Sequence, residues 1–471
     1  MALKSRSYID LSTMCNKVTG SCHLGDINFP NGRDMKFIVD CGLYQEKEDA
    51  EKNKNFIFDP KDIEFCIVTH NHVDHTGRLP LLIKQGFDGK IYTTEDTEVL
   101  LPLALQDSYK VLKDIAKRRH SPQLYSEADV GKAVEKITPC IYQRTQKINQ
   151  YVQITFFNNG HLIGAGVVLV QISYPGENSI NILYTGDYND KNIFLTLEQL
   201  PIWVKKLRLT VVIESTYGDM DSSERHECFA ENILRCVHSN GTIVATAFSL
   251  GRFQEVLYEI KELQRMNELD PQIPVRGDGK LGIRYTKLFS DGKLHIKPNM
   301  VDFLPENLTW VDKSNRESIL KSQEPQIIIA TSGNGSYGPA QLYIQEYIKR
   351  LGALIHFTGY TPPTTLGGKL KQAAIGDFVN INGIVIPKKA DVEYTNEFSA
   401  HAKADELINF LKQFFNLELV LVTHGETEVE EKFAKRVMKE VKVKNVGILD
   451  GKNIFRINSS GLVEILNSEY V

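Results

Sequence analysis

The run Phe65-Cys66-Ile67-Val68-Thr69 leads straight into His70-Asn71-His72-Val73-Asp74-His75. An apolar, β-branched run of this kind is the pattern of a buried strand. Three imidazoles and a carboxylate cannot follow it into the interior without partners, because an unpaired polar group loses its hydration there. They belong where the strand leaves the sheet, on a rigid anchor that holds ligands still. His70 and His72 are two apart and face one point. Asp74 and His75 sit at the turn into a helix predicted from the spacing of Leu79, Leu82 and Ile83, and face a neighbouring point. Neutral imidazoles and carboxylates are the ligands of a zinc site that keeps one position open for water. Four such residues exceed what one open-site ion takes and suit two ions about 4 Å apart.

Two ions need further ligands, and the chain offers them at comparable places. His161 lies in the glycine-rich turn of GHLIGAGVV. Asp187 ends a predicted strand in LYTGDYND, where it could bridge two ions. His424 ends another in LVTHGE.

Composition narrows the setting. Among 471 residues the formal net charge is −4, so no global basic field exists and a polyanion must be held locally or by metal ions. The seven cysteines are scattered and form no C-x-x-C pair, which argues against a disulfide framework and a cysteine zinc site and fits a reducing cytosol. MALKSRSYIDLST has no apolar signal core, and no apolar run is long enough to span a bilayer. The expectation is a soluble, cytoplasmic protein without membrane contact.

The first sixty-odd residues read as β-hairpins, and Ser126 with Asp129 reads as a capping box. From VVIESTYG onward strands alternate with helical patterns, the rhythm of a mostly parallel sheet. No linker is visible. The reading is α/β, with a second α/β unit at 205–365 inserted into a first domain formed by 1–204 and 366–471.

The strand-end H-x-H-x-D-H resembles the start of the metal site in the metallo-β-lactamase superfamily, and IVDCGLYQ matches its early aspartate at Asp40, which steadies the histidine loop. The long interval between Asp187 and His424 resembles the β-CASP nucleases. Glu214 in IESTYG and His401 in EFSAHAKADEL match two of their extra motifs, and His424 a third. The likeness is to free-standing prokaryotic relatives of the mRNA 3′-end cleavage and polyadenylation nuclease. It implies an αββα sandwich with an inserted β-CASP cap domain. It also implies two Zn(2+) ions, one on His70, His72, His161 and Asp187, the other on Asp74, His75, Asp187 and His424. A histidine at position 424 implies RNA as substrate. In two places the chain departs from the family pattern: Lys403 stands where an aspartate is usual, and GDGKLGI replaces D-S-P-L.

The expected reaction is hydrolysis of single-stranded RNA by hydroxide held on two zinc ions, whose field brings the pKa of water to ~7. Asp74 would orient that hydroxide. His401 would protonate the leaving oxygen, with Glu214 keeping it charged. Ser332 and Gly333 in TSGNGSYG, and Ser249 and Arg252 in SLGR, are candidate phosphate contacts. The clusters KRRH, VKKLR, GGKLK and PKK could guide the strand. The alternatives are a DNA nuclease of the same group, a small-molecule hydrolase and a non-catalytic nucleic-acid-binding subunit. Room is left for a homodimer.

Overall fold

The computed structural model describes residues 7–15, 17–32, 34–46, 48–224, 226–359 and 361–467. The first six residues of the N-terminal stretch read for a signal, and Tyr360 of the loop 359–370, lie outside them. The chain forms two compact units: Met1–Asn192 with Thr196–Ser222 and His401–Val471, and Ile193–Leu195 with Ser223–Ala400.

The first unit stacks two sheets. In the eight-stranded sheet, Tyr8–Thr13, His23–Asn28 and Asp34–Val39 are antiparallel, and Ile63–Ile67, Lys90–Thr94 and Ile137–Cys140 continue in parallel. The seven-stranded sheet runs from Val443–Ile448 through Asn416–Thr423, Arg208–Glu214, Ile180–Tyr184, Gly166–Ile172 and Val152–Asn158 to Gln146–Lys147. Strand periodicity of two sorts the side chains. Phe65 and Ile67 meet Phe156, Val168, Ile182 and Leu421 between the sheets. Cys66 and Val68 face the other way, against Leu79 and Leu82 and against Leu101 and Leu105 of the helix Glu95–Arg119. On the far side Leu183, Val211 and Val420 pack on Leu407 and Leu411 of Ala404–Lys412 and on Phe433 and Val437 of Thr427–Glu440. The order is helix, sheet, sheet, helix, as expected. The Ser126–Asp129 capping box is present at Glu127–Glu135.

The second unit carries a six-stranded, all-parallel sheet in the order Leu308–Trp310, Val275–Asp278, Ile327–Ala330, Ile243–Thr246, Leu354–Phe357, Asp391–Tyr394. A hairpin of Phe378–Ile381 and Ile384–Pro387 accompanies it.

The unit boundaries differ from 205 and 366. Arg208–Glu214 pairs with Ile180–Tyr184 and Asn416–Thr423, so it completes the first unit. Asp391–Tyr394 pairs with Leu354–Phe357 and carries the second unit to Ala400. An apolar run predicts a strand but does not name its neighbour. Among the described residues three strands follow the helix Thr427–Glu440. One of them, Asn453–Asn458, pairs with Tyr8–Thr13.

Candidate metal centre

Strand polarity explains why residues far apart in the chain meet. Ile63–Ile67 runs parallel to Asp34–Val39, so Asp40 and the 69–75 loop leave the first sheet at the same end. In the other sheet Ile180–Tyr184, Arg208–Glu214 and Asn416–Thr423 are mutually parallel, so Asp187, Glu214 and His424 emerge together. Gly166–Ile172 is antiparallel to them, which puts its entry, and His161 before it, at that same end. Functional groups at the carboxyl ends of parallel strands are the general rule for open α/β sheets.

All seven expected ligand residues come together. Donor atoms of His70, His72, His161 and Asp187 lie within 4.8 Å of one another, and so do those of Asp74, His75, Asp187 and His424. Asp187 is common to both sets. A third set, Asp187, Glu214 and His401, meets the same criterion.

Asp40 holds the loop. Its Oδ1 accepts from the Thr69 backbone N–H at 2.8 Å, its Oδ2 accepts from the Thr69 hydroxyl at 2.9 Å, and the same Oδ2 lies 2.7 Å from His75 Nδ1. Thr69 Oγ1 is also 3.1 Å from His70 Nδ1. With Nδ1 of both rings engaged, each turns its Nε2 toward Asp187, at 3.1 Å for His75 and 3.5 Å for His70. His72 Nδ1 lies 3.1 Å from His161 Nε2. Asp40 and His424 both take left-handed backbone conformations, φ 64° and 55°, uncommon outside glycine and frequent where a side chain must be aimed. Gly42 makes the loop's approach possible: a Cβ there would lie 1.5 Å from the carbonyl oxygen of Asp74. The sequence reading named Asp40 and passed over Thr69 and Gly42. The one available signal for Gly42 was its place two residues after Asp40.

The field of the cluster is strong. Burial would raise Asp187, yet His424, His75, His70 and His401 outweigh it and hold the carboxyl well below its usual range. Burial likewise opposes Asp74, and the imidazoles of His424, His75 and His72 bring it to about 2. Burial pulls His75 down, but Asp187 and Asp40 drive it well up. Ionised Asp187 and Asp74 give the site the negative charge that a divalent cation seeks, while burial lowers His70 and His72 and keeps those rings neutral donors.

The donor set fits one. His70 Nε2, His75 Nε2, His424 Nε2 and both Oδ atoms of Asp187 are buried and, among the described residues, have no hydrogen-bond partner in good geometry. Each such atom costs about 1–3 kcal/mol unless something satisfies it. Nitrogen and carboxylate donors, with no thiolate among them, suit zinc with open positions.

Glu214 and His401 stand beside the cluster. His401 Nδ1 is 2.8 Å from Glu214 Oε2, and its Nε2 is 3.8 Å from Asp187 Oδ2. Glu214 is fixed by the backbone N–H groups of Tyr188 at 2.5 Å and Thr216 at 3.3 Å. Burial lowers His401, but Glu214 and Asp187 prevail and its pKa is raised. Lys403, where the related pattern has aspartate, is buried with its ammonium 3.4 Å from the Tyr217 ring centroid. That ring stands edge-on to His401 at 6.0 Å.

The four expected phosphate contacts belong to the second unit. Arg252 donates from Nε to the Phe398 carbonyl and lies over the Phe248 ring. Ser249 follows Ile243–Thr246, and its carbonyl accepts from Gln254. Ser332 is buried and donates to Asn334 and to the Tyr337 carbonyl; the Gly333 carbonyl accepts from Thr246 Oγ1. In GDGKLGI, Asp278 pairs with Arg316 at 2.6 Å and accepts from Tyr343, an internal network of that unit. Of the basic clusters, PKK needs correction: Lys388 is buried and donates to the carbonyls of Leu370 and Ala373, so it is not available to a strand.

Fold and site together define a metal-dependent hydrolase. The family model described as the metallo-beta-lactamase superfamily matches residues 31–187, the Beta-Casp domain model matches 253–370, and the Zn-dependent metallo-hydrolase RNA specificity domain model matches 385–447. The chain belongs to the β-CASP group of the metallo-β-lactamase superfamily. It is 28% identical to the ribonuclease TTHA0252 of Thermus thermophilus, over 88% of this chain and 91% of that one. It is 28% identical to the RNase J-like protein of Methanocaldococcus jannaschii, over 91% and 95%. It is 29% identical to the transcription termination factor FttA of Methanosarcina mazei, over 91% of this chain and 68% of that longer one. Among the described residues no helix is long and apolar enough to cross a membrane.

Proposed function

We propose that the protein is a zinc-dependent ribonuclease that hydrolyses phosphodiester bonds of single-stranded RNA. The observation that carries this reading is the pair of four-residue donor sets sharing Asp187, with the Glu214–His401 pair beside them. RNA as the substrate rests on the relatives, which include a ribonuclease and an RNase J-like protein, and on the RNA specificity domain model over 385–447.

His70, His72, His161 and Asp187 would hold one ion, and Asp74, His75, Asp187 and His424 the other. Bound there, two divalent cations supply Lewis acidity, easing deprotonation of water near neutral pH and offsetting charge on the scissile phosphate. Asp40 and Thr69 keep His75 and His70 turned so that Nε2 faces the centre. Asp74, partly accessible, orients the attacking water. As the P–O bond breaks, His401 donates its Nε2 proton to the leaving oxygen, and Glu214 stabilises the imidazolium that must be present beforehand. Ser249, Arg252, Ser332 and Gly333 remain the candidate contacts to the phosphate backbone.

The test is digestion of single-stranded RNA and DNA of one sequence, labelled at the 5′ or the 3′ end, by chelator-stripped protein with and without added Zn(2+). Zinc-dependent cleavage of RNA, with DNA cut far more slowly, supports the reading. Equal cleavage of both polymers would establish a general nuclease instead. Hydrolysis of a small ester with neither polymer touched would overturn the assignment.

A further inference from the structure

Beneath the cluster, between the two sheets of the first unit, lies a cavity of ≈ 10 Å³, room for the centre of one water molecule. Its wall carries the cluster side chains His75, Asp187 and His424, and three residues that the chemistry above does not use: Ser21, His23 and Tyr184. His23 and Tyr184 are 6% and 2% exposed, and His23 Nδ1 and the Tyr184 hydroxyl have no hydrogen-bond partner among the described residues. Their ring centroids are 6.0 Å apart. Ser21 Oγ occupies the other ring nitrogen of His23, at 3.4 Å from Nε2. His23 is buried, and a neutral imidazole carries one donor and one acceptor. A dry cavity is an apolar one. A cavity with two orphaned polar groups in its wall is built for water.

The placement gives such a water consequence. His23 pairs through its backbone with Val39, the residue before Asp40, in the eight-stranded sheet. Tyr184 pairs with Val212, two residues before Glu214, in the seven-stranded sheet. The two orphaned groups therefore come from opposite sheets, as do the ligands: His70, His72, Asp74 and His75 from one, Asp187 and His424 from the other. The spacing of the sheets at this level decides whether both donor sets close around Asp187.

We propose that one buried water molecule bridges His23 Nδ1 and the Tyr184 hydroxyl, and that through it these two positioning residues tie the sheets together beneath the metal centre. The water's remaining hydrogen-bonding capacity is directed at the cluster side chains in the same wall. The bridge itself stands on the cavity alone; its effect on metal binding rests on the functional reading above.

The experiment compares wild type with Tyr184→Phe, which removes only the hydroxyl, and with His23→Gln and His23→Leu. A crystal structure of the wild type is expected to show one ordered water within hydrogen-bond distance of both groups, and that of Tyr184→Phe to lack it. In competition with a chromophoric chelator, Tyr184→Phe and His23→Leu are expected to bind Zn(2+) roughly tenfold more weakly. The d–d absorption of the Co(2+)-substituted protein should shift with them, and His23→Gln, which keeps a polar group, should stay near wild type. Two results overturn the proposal: no water between His23 and Tyr184 in the wild type, or a Tyr184→Phe protein with wild-type zinc affinity and cobalt spectrum. Should the wild type take up neither metal, the functional reading falls, while the crystallographic water still decides this inference.

Discussion

Glu214 and His401 stand 187 residues apart in the chain, yet His401 Nδ1 lies 2.8 Å from Glu214 Oε2. The carboxylate is held by two backbone N–H groups, so it has one orientation to offer, and the imidazole takes it. A carboxylate this close favours imidazolium, the form that can donate a proton.

Replacing either partner should therefore remove the acid without removing the metal ligands. Glu214→Gln and His401→Ala are each expected to slow single-turnover RNA cleavage by roughly 10²-fold or more. The double variant should be little slower than the slower single, because the two act as one unit. Zinc content, measured by mass spectrometry, should stay at the wild-type level. Activity needs protonated His401 and falls as pH rises through its pKa, which Glu214 and Asp187 raise against the effect of burial. Glu214→Gln lowers that pKa, so the alkaline limb of the pH–rate profile should move to lower pH. An unmoved limb would count against His401 as the acid.

Asp40→Asn keeps the size of the side chain and removes its charge. The partner most affected is His75, whose Nδ1 is 2.7 Å from Asp40 Oδ2. The expected outcome is a 10–100-fold loss of zinc affinity, read by chelator competition, with the far-UV circular dichroism unchanged. Retention of wild-type affinity would mean that the loop holds its shape without the carboxylate.

Gly42→Ala tests the backbone rather than the ligands. The new Cβ would meet the Asp74 carbonyl oxygen at 1.5 Å, and backbone cannot yield as a side-chain tip does. The 72–76 turn must shift, so the protein should purify with less zinc and cleave RNA more slowly even though every ligand residue is present.

Glu430 provides a test of stability. It stands in the first turn of Thr427–Glu440. The structure buries it, and burial, with Asp450 and Glu426 nearby, raises its pKa from 4.5 to about 8. The folded state thus holds this proton more tightly than the unfolded chain. Its contribution to stability is full below about pH 4.5 and is lost as pH climbs through about 8. Glu430→Gln removes the dependence. Its Tm should exceed that of wild type at pH 9, by roughly 1–2 °C for each kcal/mol relieved in a unit of this size, and match it near pH 4.5. Equal Tm values at pH 9 would show that the carboxylate is ionised at no cost.

Local chemistry was legible along the chain because it is written in short windows. Phe65–Thr69 followed by His70–His75 specified a buried strand and a ligand loop, and Ser126 with Asp129 specified a helix start. The residue types of His161, Asp187 and His424, each at a predicted strand end or turn, marked them as ligand candidates before any contact was known. Glu214 and His401 were picked out by family likeness alone.

Pairing was not legible. Nothing in Arg208–Glu214 tells which sheet it joins, since an apolar run suits any buried strand, and its partners at 180–184 and 416–423 are fixed only when the whole unit packs. The same holds for Lys388, whose cluster PKK reads as a guide for the strand although its side chain is buried. The amino-acid order determined what kinds of groups each strand end would carry. The tertiary structure decided which ends share an edge, because hydrogen-bonded pairing and sheet packing depend on residues hundreds of positions away.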